Sequence, residues 1–198
     1  MNNKTFNLTF KGNARNAGSM RNDIDVVFES MNETFKLATD EGAFHGGKGT
    51  APPPLALFTA SLCGCVMTQI KAFGKKLKIQ VNEIKIDAQM EWNGSITEEG
   101  PYIANCKGYN LDIDIISDET IENKKKLLNA AIQGCFIEAS LKPGLVKHRL
   151  KYNTEWINIW FNYIVPIAFR IFSGVIGWDE TSLFIENKAL FIAFIITA

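Results

Sequence analysis

Apolar residues along this chain recur with two periods, and the changes of period mark out its elements. From Pro54 to Leu77 they fall at Leu55, Phe58, Leu62, Val66, Ile70, Phe73 and Leu77. Steps of three or four predict one long amphipathic helix there. Before it, period-two alternation predicts strands over residues 5–11, 24–28 and 34–38. After it the alternation returns over 79–88, 109–116 and 146–152. A second helical stretch precedes the last strand: Leu128, Ala131, Ile132, Cys135 and Ala139 form an inward stripe, while Glu122, Lys125, Lys126 and Asn129 fall largely outside it. Strands with one wet face, segregated around a nearly all-apolar helix, predict an α+β domain with that helix packed on a curved sheet.

The two helical stretches each carry a thiol on their inward side. At about 100° per residue, Cys65 lies roughly 20° from Phe58 around the helix axis, so it faces the core. Cys63, roughly 200° from Cys65, faces nearly the opposite way. Two thiols held on rigid elements, Cys65 and Cys135, could thus be presented to one another. A free cysteine is often just a small buried hydrophobe, so the surrounding residues must decide between packing and chemistry.

Those residues form two ordered motifs. Gly46-Gly47, the prolines ending at Pro54, and Leu55 through Cys65 resemble the "GG…P…L…A…C" signature of the OsmC/Ohr family of bacterial hydroperoxide reductases. Leu127 through Leu141, followed by His148-Arg149-Leu150, is similar to the family's second-cysteine segment. The resemblance spans roughly residues 4 to 153. It implies an OsmC-like fold, with the first cysteine on the central helix, and an intertwined homodimer with its sites where the subunits meet.

The resemblance also implies a mechanism. Cys65 would attack a hydroperoxide as thiolate and become a sulfenic acid, and Cys135 would condense with it to a disulfide. An external dithiol, a lipoyl group being one candidate, would then reset the pair by exchange. The attacking thiol needs a lowered pKa, from a nearby cation or a helix N-terminus. Cys65 lies too deep in its helix for the dipole to help much. An arginine near the N-terminus fills this role in the family. Here Arg21, directly before the strand at 24–28, fits one branch, and Arg15, flanked by Gly12 and Gly18, fits the other; the sequence leaves both open, with Arg21 the better match. One departure stands against activity. The glutamate that follows the helix-opening proline and pairs with the arginine is replaced by Leu55, and no carboxylate occurs between Glu41 and Glu83. The alternative to a peroxidase is therefore an OsmC-like binding or redox-sensing module with little or no turnover.

Other chemistry is disfavoured. Cys63 and Cys65 diverge on a helix and neither His45 nor His148 is spaced to join them, so no metal site is expected. Residues 42–48, Gly-Ala-Phe-His-Gly-Gly-Lys, match the start of a phosphate-binding loop. Gly49 stands where the hydroxyl belongs, and Pro52, Pro53 and Pro54 remove the N–H donors that would cradle phosphate. A glycine-rich loop leading to a proline-started helix, with Thr50 as a candidate cap, is the better reading. No cofactor is implied. Cys106 is placed on a strand.

Composition narrows the setting. The formal charge is +0, the pI about 6.7 and 46% of residues are hydrophobic, with no basic surplus pointing to nucleic acid. Four cysteines and no secretory signal at the first residues fit a reducing cytoplasm rather than a disulfide scaffold. Residues 1–153 are expected to form one domain and 154–198 a hydrophobic extension. Residues 157–178 are long enough to cross a bilayer, yet contain Asn158, Asn162, Pro166 and Arg170. An arginine at a helix centre costs about 2.5–3.5 kcal/mol on the insertion scale, which leaves insertion marginal. If they insert, Lys147, His148, Arg149 and Lys151 would hold the domain at the cytoplasmic face. The alternatives are a tail packed on the domain or dimer, or an appended segment without selected function.

Overall fold

A computed structural model describes residues 5–98 and 100–159. Most of the hydrophobic extension, including nearly all of 157–178 and the final apolar run, lies outside the described residues. The element order is β1 (Phe10–Asn16), β2 (Asn22–Phe28), β3 (Glu33–Thr39), α1 (Pro54–Leu77), β4 (Glu83–Thr97), β5 (Gly100–Ile116), α2 (Ile121–Gln133), α3 (Phe136–Ala139), β6 (Val146–Tyr152) and β7 (Glu155–Asn158).

The helix predicted from Pro54 to Leu77 has those bounds. Pro54 occupies its first turn, where a missing N–H costs nothing. Thr50 does not cap it: the N-cap is Pro53, which offers no side-chain bond, and Thr50 is engaged elsewhere. At the other end Lys78 turns left-handed (φ 56°), and the N–H of Ile79 closes on the Gly74 carbonyl at 2.9 Å. This cap consumes Ile79 and its neighbours, so the strand predicted from 79 starts at Glu83. Lys75 and Lys76 in the last turn complement the helix dipole.

Two sheets flank this helix in sequence. β1, β2 and β3 form an antiparallel meander in that order. β4, β5, β6 and β7 form the second sheet, antiparallel except for β5 and β6, which run parallel. The second sheet is therefore mixed. The reason is topological: α2 and α3 carry the chain back across the sheet between β5 and β6, which is the connection a parallel pair needs. The strand expected at 5–11 begins only at Phe10. Phe10 pairs with Phe28, the last residue of β2, so the residues before it have no strand to pair with. Phe6 instead meets the ring of Phe136 in α3, edge to face at 6.1 Å.

The core lies between α1, α2 and the second sheet. Leu62, Val66 and Ile70 of α1 meet Leu127, Leu128, Ala131 and Ile132 of α2, above the inward residues Leu111, Ile113 and Ile115 of β5 and Leu150 of β6. Alternation holds along β6, where Val146, His148 and Leu150 are buried and Lys147 and Arg149 are exposed. Arg149 pairs with Asp112, and Lys151 with Asp114, on the solvent face. Among the described residues the core draws nothing from β1, β2 or β3. That sheet leaves Phe10, Phe35 and Leu37 about half exposed.

The closest approach between the helices is at Gly134, directly after α2. A Cβ built there would lie 2.5 Å from the Phe73 ring of α1. Glycine lets the end of α2 press against α1. Replacing Gly134 with Ala should force the ring or the helix aside and cost about 1–3 kcal/mol, read as a lowered thermal midpoint with secondary structure unchanged.

Candidate functional site

Cys65 and Cys135 meet where α1 passes the break between α2 and α3. Cys65 is on α1, one turn from the buried Leu62 and next to Val66, and is half-buried. Cys135 is fully buried. Its thiol lies close enough to that of Cys65 for the two to influence each other's ionisation. The structure thus brings together the two thiols singled out from the sequence.

Cys135 reaches this position differently from the sequence expectation. It is not on the inward stripe of a continuous helix. α2 stops at Gln133, Gly134 closes its last turn, and Cys135 takes an extended conformation (φ −79°, ψ 107°) as the N-cap of the short α3. Its Sγ accepts the Glu138 N–H at 3.4 Å. Helical spacing of apolar residues continues past Gly134, but the helix ends there, at a residue of low helix propensity. Breaking the helix aims the thiol along the gap instead of at a neighbouring side chain.

Burial pushes the Cys135 thiol up to about 12, and the bond with Cys65 and the charge of Glu138 push the same way; the Glu138 N–H opposes them. Cys63 turns away from the pair, and burial raises its pKa as well. Cys106 is on β5 as expected and exposed; burial, and with it Cys106, pushes the Tyr109 hydroxyl pKa up. Phe58, Trp92 and Tyr109 form an aromatic cluster, with centroids 5.4–6.1 Å apart, on the side of α1 that carries Cys65. Only Phe58 was visible as an inward residue in the sequence.

The two arginines converge on one carboxylate. Arg15 on β1 lies opposite Asp23 on β2, and its guanidinium approaches that carboxylate at 3.6 Å. Arg21 reaches the same residue at 3.1 Å through both Nε and Nη2. Arg21 goes further. Its Nη1 donates to Thr50 Oγ1 at 2.9 Å, and that hydroxyl donates to Asp40 Oδ2 at 2.7 Å. The N–H groups of Thr50 and Glu41 also donate to Asp40. Thr50, by backbone and side chain, leads in holding the Asp40 carboxyl below its ordinary range. A buried carboxylate thus ties Arg21 to the loop that opens α1. Among the described residues Arg21 contacts Asp23 and Thr50, and neither thiol.

The phosphate-loop look-alike forms part of this support. Gly46 takes a left-handed conformation (φ 77°), and a Cβ on Gly47 would lie 1.9 Å from the Glu41 carbonyl oxygen. The glycines serve a tight turn that folds back on Glu41. Leu55, in the place of the expected glutamate, is half exposed at the helix opening.

A further pair was missed altogether. His148 Nε2 lies 3.1 Å from Glu138 Oε2, and both side chains are buried. The signal was present for one partner: His148 alternates with Val146 and Leu150, which places it on the core face of its strand. For Glu138 it was not, because the sequence did not show that a new helix begins at Phe136.

Comparison with known proteins adds to this geometry. The profile of the family described as OsmC-like protein matches residues 47–148. No curated protein matches the chain. Among solved structures, an OsmC-like hydroperoxide resistance protein from Jannaschia sp. CCS1 is 39% identical, covering 76% of this chain and 97% of that one, with a TM-score of 0.45. An organic hydroperoxide resistance protein OsmC from Legionella pneumophila is 20% identical, covering 72% and 94%, with a TM-score of 0.51. An OsmC-like protein from Mycoplasma pneumoniae is 13% identical, covering 76% and 96%, with a TM-score of 0.52. The last two share the fold.

Because the Cys135 thiol stays protonated in the fold, iodoacetamide at pH 8 should leave it unmodified in the native protein. It should react promptly once denaturant exposes it. Peptide mapping by mass spectrometry reads both states; rapid native labelling of Cys135 would contradict its burial.

Proposed function

The chain belongs to the OsmC-like protein family, and on that premise we propose that it is a thiol-dependent hydroperoxide reductase. The proximity of the Cys65 and Cys135 thiols, close enough to influence each other's ionisation, carries this reading. Cys65 thiolate attacks the outer oxygen of the hydroperoxide; the O–O bond breaks, the alkoxide leaves and is protonated to the alcohol, and Cys65 is left as sulfenic acid. Cys135 then attacks Cys65 Sγ, forming the disulfide and releasing water. A dithiol returns both cysteines to thiols by two exchanges and leaves as its own disulfide.

Division of labour follows from burial. Half-buried Cys65 is the one a substrate can reach, and fully buried Cys135 is reachable only by Cys65. The aromatic cluster of Phe58, Trp92 and Tyr109 shares the inward side of α1 with Cys65, and family membership favours an organic hydroperoxide as substrate. The loss of the helix-opening glutamate is met by other carboxylates: Asp23 binds Arg21 directly, and Asp40 holds the Thr50 hydroxyl that Arg21 binds.

We read the working unit as a homodimer. The apolar β1–β3 sheet has no core to cover within one protomer, and an exposed apolar surface of this kind marks an interface. Laid over the partner's α1, it would carry Arg21 of one protomer to Cys65 of the other and supply the cation the thiolate needs.

Consumption of cumene hydroperoxide with a dithiol reductant tests the chemistry. Cys65→Ser should fall to background, and Cys135→Ser should oxidise at Cys65 and stall without forming the intramolecular disulfide. Undiminished turnover in Cys65→Ser would exclude the assigned nucleophile. Mixed dimers of Cys65→Ser and Arg21→Gln protomers test the shared site. One intact site in two should return if the residues come from different protomers, and none if they come from the same one.

A further inference from the structure

Cys135 must lose a proton before it can attack, and nothing in the two-cysteine scheme accepts it. Glu138 stands beside this thiol, close enough for its charge to act on it, and is itself paired with a base. Its N–H donates to Cys135 Sγ at 3.4 Å, and its carboxylate lies 3.1 Å from His148 Nε2. The side chains of His148 and Glu138 are only 3% and 9% exposed. Burying such a pair is costly, and the core gains nothing from it that an apolar pair would not supply. We propose that the buried Glu138–His148 pair accepts the Cys135 proton in the resolving step and passes it to the hydroxide leaving Cys65. The inference rests on the two-cysteine reading of the site.

The balance is as follows. The His148 imidazole takes the proton from Cys135 Sγ, and the Glu138 carboxylate bears the counter-charge of the imidazolium that forms. The thiolate electron pair forms the S–S bond with Cys65, the S–O bond of the sulfenic acid breaks, and the departing hydroxide takes the proton and leaves as water. Before reaction the negative charge of Glu138 opposes ionisation of Cys135 and keeps the resolving thiol quiet. Protonation of the pair removes that opposition when the thiolate is needed.

The groups facing the pair leave this role to it. Cys135 comes from the turn before α3 and Cys65 from α1. α2 presents Leu127, Leu128, Ala131 and Ile132, all apolar. On β5, Leu111 lies opposite His148, while Asp112 is paired with Arg149 on the solvent face. Lys147 is on that exposed face as well.

Rapid mixing of the reduced protein with cumene hydroperoxide, and separately with diamide, isolates disulfide closure; diamide activates Cys65 without a peroxide. The wild-type closure rate should rise with pH and then level once the pair is able to accept the proton. In Glu138→Gln and His148→Gln closure at pH 7 should slow about tenfold or more, and the levelling should vanish, so that the rate climbs with the thiolate fraction alone. Glu138→Asp should restore part of the rate. Unchanged rates and pH profiles in folded variants would overturn the inference, and so would a wild-type rate that climbs with pH without levelling should the variants fail to fold. Closure with diamide but not with peroxide would instead remove the peroxidase reading and leave the proton acceptor standing.

Discussion

Two thiols can react only if both are held within bonding reach, and here that requirement rests on the packing of α1 against α2. Leu62, Val66 and Ile70 give α1 a fixed face in the core. Gly134 allows the end of α2 to close on Phe73, and the helix break that follows points Cys135 at Cys65. Each contact is apolar and non-directional taken singly, yet together they fix a directional contact between two sulfur atoms. Cores are packed densely enough to transmit such constraints.

Around that contact the polar groups fall into two sets, each with a separate task. Asp40, Thr50 and Asp23 order Arg21 next to the loop that opens α1. Glu138 and His148 stand behind Cys135 inside the core. In the proposed mechanism one set would serve the activation of the first thiol and the other the deprotonation of the second. Different pKa demands explain the split: an attacking thiol needs a cation close by, whereas a resolving thiol is best kept neutral until its partner is oxidised.

The incomplete coverage of β1–β3 gives the fold its other constraint. A three-stranded meander leaves Phe10, Phe35 and Leu37 about half exposed and contributes nothing to the described core. Arg21 lies at the edge of this same sheet. In the proposed homodimer, assembly and thiol activation would depend on one surface.

Much of this was legible in the residues alone. The three-and-four spacing from Leu55 to Leu77 marked α1 with its bounds and placed Cys65 inward and Cys63 outward, because a helix face is a local property of the chain. Alternation likewise located β2, β3 and β6 to within a residue or two. It overran at 5–11 and 79–88, where a strand needs a partner or where a helix cap had already taken the residues. The parallel pairing of β5 with β6, the helix break at Gly134, the Thr50–Asp40 support of Arg21 and the Glu138–His148 pair were all decided by tertiary structure. Each depends on contacts between residues ten or more positions apart, or on a backbone direction that small residues permit without dictating. The sequence determined which faces were apolar and which residues could do chemistry; only packing decided which of them meet.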